Sequence, residues 1–394
     1  MTVPQNDPEP RSARDPEPQP NARTAAETAR RPEPETATRT APPQVVAGAT
    51  PEQLILGLDT FGDVTRTESG ERVSHAQVIR DVVAQAVLAD GLGVDAITLG
   101  EHHRNDFALS SPEIALAAIA GQTERILLGT GVTVLSSDDP VRVYERFATL
   151  DAVSAGRAEV ILGRGSFTES FPLFGYRLSD YDSLFSEKLD LFAKLRDEGP
   201  VTWSGEHRSP LVEQEVFPKT EQEGGVRAWI GVGGSPHSVL RTVQVGIPMM
   251  LAIIGGDPAR FLPFAKLYRQ AQDELGREQM PLGVHSPGHV AASDAEARDQ
   301  LWPHFEANRN RIGAERGWPH TTRAEFEREA DSGSLYVGSP ETVAQRIADT
   351  VRMLGVDRFD LKYATGTMPH EQLMSSIELY GTRVVPRVRE LLGE

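Results

Sequence analysis

Ala96–Glu113, which reads AITLGEHHRNDFALSSPE, is the stretch that decides the fold. A short apolar run with β-branched residues passes into a polar loop, and Ser111-Pro112-Glu113 has the N-cap residue and first-turn proline of a helix. Glu101, His102 and His103 therefore stand where a buried strand ends. In parallel α/β proteins this end of a strand is where ligands bind and chemistry takes place.

These three titratable residues could instead have a purely structural role or bind a metal. In a structural role they would cap the strand end and pair with one another locally, as an isolated histidine usually does. A metal site is disfavoured, because neighbouring strand residues point to opposite faces and His102 and His103 cannot easily hold one ion. The helical metal-binding spacing H-E-x-x-H is absent as well. We therefore predict no metal.

The composition excludes several classes of protein. The chain has 394 residues, a net charge of −17 and no cysteine, so disulfides, thiolate metal sites and thiol nucleophiles are excluded. The acidic charge disfavours nucleic acid and anionic membranes as partners. The apolar run Met249–Ile254 is too short to cross a bilayer, and the first residues show no secretory signal. We expect a soluble cytoplasmic protein.

Residues 1–50 differ in composition from the rest of the chain. They hold ten of the 28 prolines, among Glu, Arg, Thr and Ala. Such a segment cannot bury enough apolar surface to offset the entropy lost on ordering. We predict a disordered tail over 1–50 and a folded domain over 51–394.

From Leu54 onwards strand-like runs alternate with helical patterns. Eight alternations favour an α/β fold of the (β/α)8 TIM-barrel type over an open sheet. Two stretches, 198–225 and 294–335, break the rhythm and are predicted insertions, the second a candidate lid. The predicted strands are Leu54–Asp63, Ala96–Gly100, Ile126–Val134, Ala158–Gly165, Val226–Gly233, Pro248–Ile254, Leu282–Ala292 and Phe359–Tyr363.

Two strand ends carry features of an anion site. Gly231–Pro236, GVGGSP, joins a strand to a helix whose N-terminus favours negative charge, and Arg164 ends another strand between two glycines. Pro236 stands where a dinucleotide-binding G-x-G-x-x-G motif needs its third glycine, so that motif is not met. Gly131 inside the third strand indicates either a bulge beside a ligand or a packing glycine.

Taken together and in this order, the motifs resemble those of the luciferase-like flavin-dependent monooxygenases, the family of bacterial luciferase. The resemblance covers about Leu54 to the C-terminus. It is carried by Glu101-His102-His103, Gly129–Leu135 with Asp139–Arg142, Leu150–Arg157, Gly163-Arg164-Gly165, the Gly-Gly-Ser turn before Gly246-Ile247-Pro248, and Val337–Glu341 with the final helix.

The resemblance implies a TIM barrel that binds FMN, received in reduced form from a separate flavin reductase. It also implies a role for each matching residue. The phosphate would be held by Arg164, Gly234, Ser235 and Ser238, and the isoalloxazine ring would rest on the bulge at Gly131–Val132, which in this family often contains a non-prolyl cis peptide. Glu101 would lie beside the ring, and His102 would assist catalysis. Luciferase has a cysteine immediately before the phosphate-binding arginine. Gly163 stands there in this chain, which argues against light emission.

The expected function is a monooxygenase that uses reduced FMN and oxygen to oxygenate a small organic substrate through a flavin hydroperoxide. His102, whose type has a reference pKa of ~6.5, would control the proton on the peroxide. Two alternatives stay open: hydride transfer with a deazaflavin, and a flavin-binding protein without catalysis. We also expect a homo-oligomer, and the substrate stays open.

Overall fold

Eight parallel strands close into a barrel in the computed structural model, which describes residues 42–394. Each strand pairs in parallel with the next in the chain, and the last pairs with the first. The (β/α)8 prediction is confirmed. The strands are β1 Ile55–Thr60, β2 Ala96–Leu99, β3 Leu127–Val134, β4 Glu159–Gly163, β5 Arg227–Val232, β6 Met249–Ala252, β7 Leu282–Val290 and β8 Arg358–Lys362.

The helices surround the barrel and connect its strands. They are α1 His75–Gly91, α2 Pro112–Ala120, α3 Pro140–Ser154, α4 Ser170–Leu173, α5 Tyr181–Leu195, α6 Pro236–Val245, α7 Leu262–Glu274, α8 Asp294–Arg316, α9 Arg323–Ser332, α10 Pro340–Leu354, α11 His370–Leu379 and α12 Val385–Gly393. Short 3-10 turns at Leu135–Ser137, Leu178–Asp180 and Pro258–Phe261 and a π-helical turn at Tyr380–Val384 complete the set. No helix within residues 42–394 has the length and apolar character needed to span a bilayer.

The helix starts follow directly from the sequence. Proline occupies the first turn of α2, α3, α6 and α10, where its missing N–H is not needed. Asp139 caps α3 by accepting the backbone N–H groups of Val141 and Arg142, and Ser235 caps α6 by accepting that of Ser238. These caps fix the point at which each strand end turns into its helix.

Both predicted insertions are present as separate elements. The first contains an antiparallel hairpin, Val201–Trp203 with Leu211–Gln214. The second contains α8 and α9 and is followed by Tyr336–Gly338, a strand that extends the end of β7 and that the sequence pattern did not reveal. The first insertion lies between α5 and β5 and the second follows β7, so both lengthen connections without interrupting the barrel.

Glycines on the inner face of the barrel make room for a buried charged layer. Arg358 of β8 is fully buried and donates to Glu159 of β4 across the barrel, Nη1 to Oε2, at 2.8 Å. Its Nε also donates to both carboxyl oxygens of Asp360 at 3.0 Å. A Cβ on Gly57 would lie 2.3 Å from Asp360, and one on Gly129 would lie 2.8 Å from Glu159. The charged layer therefore depends on having glycine at these positions.

The floor of the barrel is closed by the residues that precede β1. Val45 packs against two groups of inward-facing apolar side chains, one that includes Ile55 and one that includes Trp229. The backbone N–H of Ala49 donates to Asp357 at 3.0 Å. Residues 42–50, the described part of the predicted tail, thus contact the barrel. The rest of that predicted disordered tail lies outside the described residues.

Arg358→Ala tests the buried layer. The change leaves Glu159 and Asp360 in the interior without their cation, and breaking a buried ion pair in this way costs about 3–5 kcal/mol of unfolding free energy. Arg142→Ala is the control, because Arg142 is 72% exposed and pairs only on the surface with Glu145. We expect the control to cost less than about 0.5 kcal/mol in urea-induced unfolding. Similar losses for both variants would contradict a central role for Arg358.

Candidate active site at the barrel mouth

Glu101 joins the end of β2 to the irregular part of β3. β2 ends at Leu99, so Glu101 lies in the following loop. One carboxyl oxygen accepts the backbone N–H of Val134 at 2.8 Å, and the other accepts the His103 Nε2–H at 2.8 Å. Its own N–H donates to the carbonyl of Val132 at 3.2 Å. Glu101, which the sequence analysis predicted to be catalytic, therefore joins the loop after β2 to β3 through these hydrogen bonds.

The part of β3 that Glu101 holds is a bulge. Its pairing with β4 shifts register between Gly131 and Thr133, and the Gly131–Val132 peptide is cis. The Val132 side chain lies over Gly163 and Gly231, since a Cβ on those glycines would approach it to 2.5 Å and 3.2 Å. Glycine at 163, where luciferase has cysteine, thus makes space for Val132.

His102 and His103, adjacent in sequence, diverge in space. His103 pairs with Glu101 and lies edge-on to Phe174, with ring centroids 4.9 Å apart. His102 instead places Nδ1 3.4 Å from Glu169, in the loop after β4. The structural alternative, in which a histidine pairs locally at the strand end, therefore fits His103 but not His102, whose partner lies in another loop. Residues 42–394 contain no group of three or more His, Cys, Asp or Glu side chains arranged to hold a metal ion.

His102 belongs to an aromatic cluster formed by Phe61, His102, Phe107 and Phe167. Its ring stacks on Phe107 at 4.4 Å between centroids and lies edge-on to Phe61 at 4.9 Å and to Phe167 at 5.2 Å. Only 11% of the His102 side chain is accessible. These aromatic walls come from the ends of β1, β2 and β4, so the barrel mouth is apolar around one titratable ring.

The predicted phosphate-binding residues come together at the start of α6. Ser235 donates its hydroxyl to Ser238 Oγ at 2.8 Å and accepts the Ser238 backbone N–H at 3.2 Å. Gly234 has φ +98°, in the region that favours glycine, and a Cβ there would lie 3.2 Å from Phe261. Arg164, which follows β4, pairs with Asp182 of α5 at 2.8 Å.

Arg241 of α6 is a further basic residue of this region that the sequence analysis missed. It is 9% exposed, and its Nη2 lies 3.3 Å from Nδ1 of His237. Burial lowers the pKa of Arg241, the positive charge of Arg164 lowers it further, and Asp182 opposes both effects. Two guanidinium groups and one carboxylate thus adjoin a helix N-terminus, an arrangement that attracts an anion.

On the opposite side of the mouth, β1, β7 and β8 present polar groups that the sequence analysis also missed. Asp59 lies with Oδ2 3.5 Å from Nδ1 of His285. Lys362 donates to Asp63 at 3.1 Å and lies over the Phe61 ring at 4.5 Å. A charged residue inside a buried apolar strand, as Asp59 is in ILGLDT, was the available signal.

The predicted lid extends over the mouth. Near the end of α8, Glu315 accepts from Arg104 at 2.9 Å, and Arg316 donates to the carbonyl of Ser166 at 3.1 Å. Arg316 also lies over the Phe167 ring at 4.8 Å, and Arg311 pairs with Asp106. Because these partners belong to the loops after β2 and β4, α8 covers the aromatic cluster.

The fold and the mouth define the chain as a TIM-barrel oxidoreductase. The family model for luciferase-like monooxygenases matches residues 60–358, and the chain belongs to this family. A relative, 4-hydroxyprotoasukamycin monooxygenase of Streptomyces nodosus subsp. asukaensis, is 27% identical over 315 residues, which cover 76% of this chain and 84% of the relative. The enzyme is thus a flavin-type oxidoreductase of the luciferase-like family that acts on a small molecule.

Solved structures agree with this assignment. The monooxygenase RslO1 from Streptomyces bottropensis superposes with a TM-score of 0.72 and 26% identity over 84% of this chain and 98% of its own. The oxygenating component of 3,6-diketocamphane monooxygenase from Pseudomonas putida, in complex with FMN, shares the fold at 19% identity, TM-score 0.68, covering 84% and 98%. A coenzyme F420-dependent reductase from Methanopyrus kandleri does so at 16%, TM-score 0.63, covering 84% and 99%. These two neighbours, named with FMN and with coenzyme F420, show that the barrel fold is shared.

The pairing of His103 with Glu101 predicts a pH-dependent stability. The hydrogen bond to Glu101 raises the pKa of His103 above its ordinary value near 6.5, against the effect of burial. A raised folded-state pKa gives stability that is present below about pH 6.5 and is lost as the pH rises through the folded-state value. The melting temperature of wild type minus that of His103→Gln should therefore be largest near pH 6 and shrink towards pH 9.

His320→Gln serves as the control for this series, because His320 is exposed. Its difference from wild type should be small at every pH. A constant difference between wild type and His103→Gln across the range would show that His103 is not charged in the folded protein.

Proposed function

We propose that this enzyme is an FMN-dependent monooxygenase that uses reduced FMN and oxygen to oxygenate a small organic substrate through a flavin hydroperoxide. The observation that carries the proposal is the placement of anion-binding groups, the β3 bulge and His102 around one barrel mouth. The anion-binding groups lie at the ends of β4 and β5, directly beside the bulge in the strand order. This order suits a cofactor that has a phosphate at one end and a flat ring at the other.

The donor set at α6 fits a phosphate. Arg164 and Arg241 supply guanidinium groups, and Ser235 and Ser238 supply hydroxyls that at present bond only to each other and to local backbone. Asp182 balances only one of the two positive charges. A phosphate would neutralise the remaining charge and accept hydrogen bonds from all four side chains, and charge-assisted bonds of this kind are the strong ones.

The β3 bulge fits the support of a flat ring. Gly131 has no side chain, and Val132 fills the space over Gly163 and Gly231, so no bulky group rises from the bulge at Gly131. The polar groups of Asp59 and Thr98 lie beside Gly131, because a Cβ there would meet them at 2.7 Å and 3.0 Å. Glu101 fixes this surface by its hydrogen bond to the N–H of Val134. We therefore assign Glu101 a positioning role toward the flavin.

His102 is the group placed to hold or transfer a proton at this site. Its Nδ1 faces Glu169; burial raises the pKa of Glu169, but the hydrogen bond from His102 and hydrogen bonds from backbone N–H groups together lower it below its ordinary value. Glu169 therefore stays ionised and favours a proton on Nδ1, which leaves Nε2 for a ligand. The bound flavin supplies the reaction with oxygen, and His102 controls the proton at the reacting atom.

The aromatic cluster and α8 exclude water from the reacting atoms. Water exclusion protects reactive intermediates from side reactions such as the release of hydrogen peroxide. The cover is held by hydrogen bonds and ion pairs to loop residues, for example Arg104 with Glu315, so it can open for substrate and product.

Several finer parts of the proposal concern partners. Reduced FMN would come from a separate flavin reductase, and the chain would act as a homo-oligomer in the cytoplasm. The second candidate is hydride transfer with a deazaflavin, which the F420-dependent relative in fold favours. Oxygen uptake separates the two: protein mixed with reduced FMN should consume oxygen, and a deazaflavin enzyme should bind its cofactor without oxygen uptake.

Arg164→Ala and Arg241→Ala test the phosphate site. Each change removes a charge-assisted contact worth about 1.5–3 kcal/mol, so the affinity for FMN should fall about tenfold to a hundredfold. Riboflavin, which has no phosphate, should bind wild type and both variants about equally in fluorescence titrations. Arg177→Ala is the matched control, because Arg177 is 82% exposed and pairs only with nearby Asp180. Equal weakening of FMN and riboflavin would mean that the two arginines are structural.

His102→Ala tests the chemical role of the histidine. The affinity for FMN should stay within a few-fold of wild type, because the phosphate site is intact. Product yield per reduced FMN should fall by ~10²-fold or more, the usual loss for a positioned acid or base, and the lost turnover should appear as hydrogen peroxide. His103→Ala should change the yield less, since it turns away from the aromatic cluster towards Glu101 and Phe174.

The measurement is stopped-flow mixing of the reduced FMN–enzyme complex with oxygenated buffer, followed by assay of peroxide. A His102 variant with normal coupling beside a His103 variant that releases peroxide would reverse the two roles. If neither variant differs from wild type, the end of β2 is structural.

A further inference from the structure

Asp59 and His285 face each other at the barrel mouth and have no assigned part in the proposed cofactor site. Asp59 borders that site, because a Cβ on Gly131 of the bulge would lie 2.7 Å from its Oδ1. Asp59 Oδ2 lies 3.5 Å from His285 Nδ1. Asp59 Oδ1 accepts the hydroxyl of Thr98 at 2.7 Å, whereas the buried Oδ2 has no hydrogen-bond partner within residues 42–394. Asp59 is thus a buried carboxyl group with one oxygen satisfied and the other directed at a histidine.

The surroundings keep this pair uncharged. Burial raises the pKa of Asp59 well above its ordinary value. Burial, together with the positive charge of Lys362, lowers the pKa of His285 to about 3. Lys362 is paired with Asp63, and its positive charge and the hydrogen bond from Thr98 lower the pKa of Asp59 less than burial raises it. Both shifts favour the uncharged forms of the pair, a carboxylic acid and a neutral imidazole.

The hydrogen bonds decide where the two protons lie. Since Oδ1 of Asp59 accepts from Thr98, the acid proton belongs on Oδ2, where it faces Nδ1 of His285. A neutral histidine that accepts at Nδ1 carries its own proton on Nε2. His285 then has an Nε2–H donor available, and Asp59 is the group beside Nδ1 that would orient the ring.

We propose that His285, oriented by Asp59, donates its Nε2–H to a carbonyl oxygen of an uncharged, planar substrate, an aromatic ketone or quinone in chemical class. The inference rests on the proposed function, which places FMN on β3, β4 and β5. The pair stands on β1 and β7, which are separated only by β8 in the strand order, so the substrate would occupy the side of the mouth opposite the phosphate site.

The walls near the pair specify the shape and charge of this substrate. Phe61 lies parallel to the His285 ring, with an interplanar angle of 6° and 6.2 Å between centroids, and Phe107 lies beside Phe61. Flat apolar walls suit a planar ligand. The positive charge of Arg104 is balanced by its ion pair with Glu315, so Arg104 gives no reason to expect a negatively charged substrate. A neutral donor between aromatic walls matches a carbonyl group best.

The test uses two probes of the same shape, 1-indanone with a carbonyl and indane without one. Their affinities are measured by ligand-observed NMR on the full chain, with and without FMN. Wild type should prefer 1-indanone roughly threefold to tenfold, the effect of one neutral hydrogen bond. His285→Phe keeps a ring beside Phe61 and removes the donor, so this preference should disappear. His285→Gln, which offers an amide N–H, should restore part of it.

Asp59→Asn tests the arrangement of the protons. The asparagine amide can accept from Thr98 and donate to Nδ1 of His285, so it reproduces the neutral acid and should keep the preference for 1-indanone. Asp59→Ala should lose it. His320→Ala, at an exposed position, is the control and should behave as wild type. Loss of the preference in Asp59→Asn would show that Asp59 accepts from His285 as a carboxylate, which overturns the proposal.

A flavin carbonyl is the alternative acceptor, and the FMN titrations distinguish it. If His285→Phe weakens FMN several-fold and leaves the ratio of the two probes unchanged, the donor serves the cofactor and the assignment to substrate is wrong. Equal binding of both probes to wild type also overturns the inference. Failure of the proposed function looks different: wild type would not bind FMN, while the protein without FMN would still prefer 1-indanone.

Discussion

The contact between Arg358 on β8 and Glu159 on β4 spans the barrel, and the functional mouth depends on it. A barrel of eight short parallel strands has to fill its interior, and here part of the filling is charged. A buried cation is tolerated only with its carboxylates in contact, and the carboxylates fit only because Gly57 and Gly129 leave space. Burial raises the pKa of Asp360 to about 6 even though Arg358 opposes the rise, which shows how dry this layer is.

The mouth is built on this layer, and its parts divide between two sides. The groups proposed to bind the phosphate follow β4 and β5, the bulge belongs to β3, and Asp59 and His285 belong to β1 and β7. Glu101 connects the sides, because it follows β2 and holds β3 by the N–H of Val134. The hydrogen bonds of this loop carboxylate, which the sequence analysis predicted to be catalytic, support the positioning role proposed for it.

Sequence alone predicted the fold closely and the site in part. All eight barrel strands were predicted, because alternating strand and helix patterns with Pro and Ser at the helix starts are local signals. Arg164, Ser235 and Ser238 were predicted by motif to bind a phosphate; Ser235 and Ser238 contact each other at the start of α6, and Arg164 pairs with Asp182 of α5. Arg241 was missed because one arginine on a helix has no distinguishing pattern. Asp59 and His285 are far apart in sequence, so only the closure of the barrel could show that they meet.

The cover formed by α8 has a consequence for the life of a bound ligand. Its attachments are largely charged and partly exposed, since Glu315 keeps 45% of its side chain accessible. Attraction between such groups is screened within about 8 Å at physiological ionic strength. The ion pairs that attach α8 to the loops should therefore weaken as the salt concentration rises, so that α8 would leave the mouth more often at high salt. The residence time of a bound ligand would then depend on the ionic strength of the solution as well as on the affinity of the pocket.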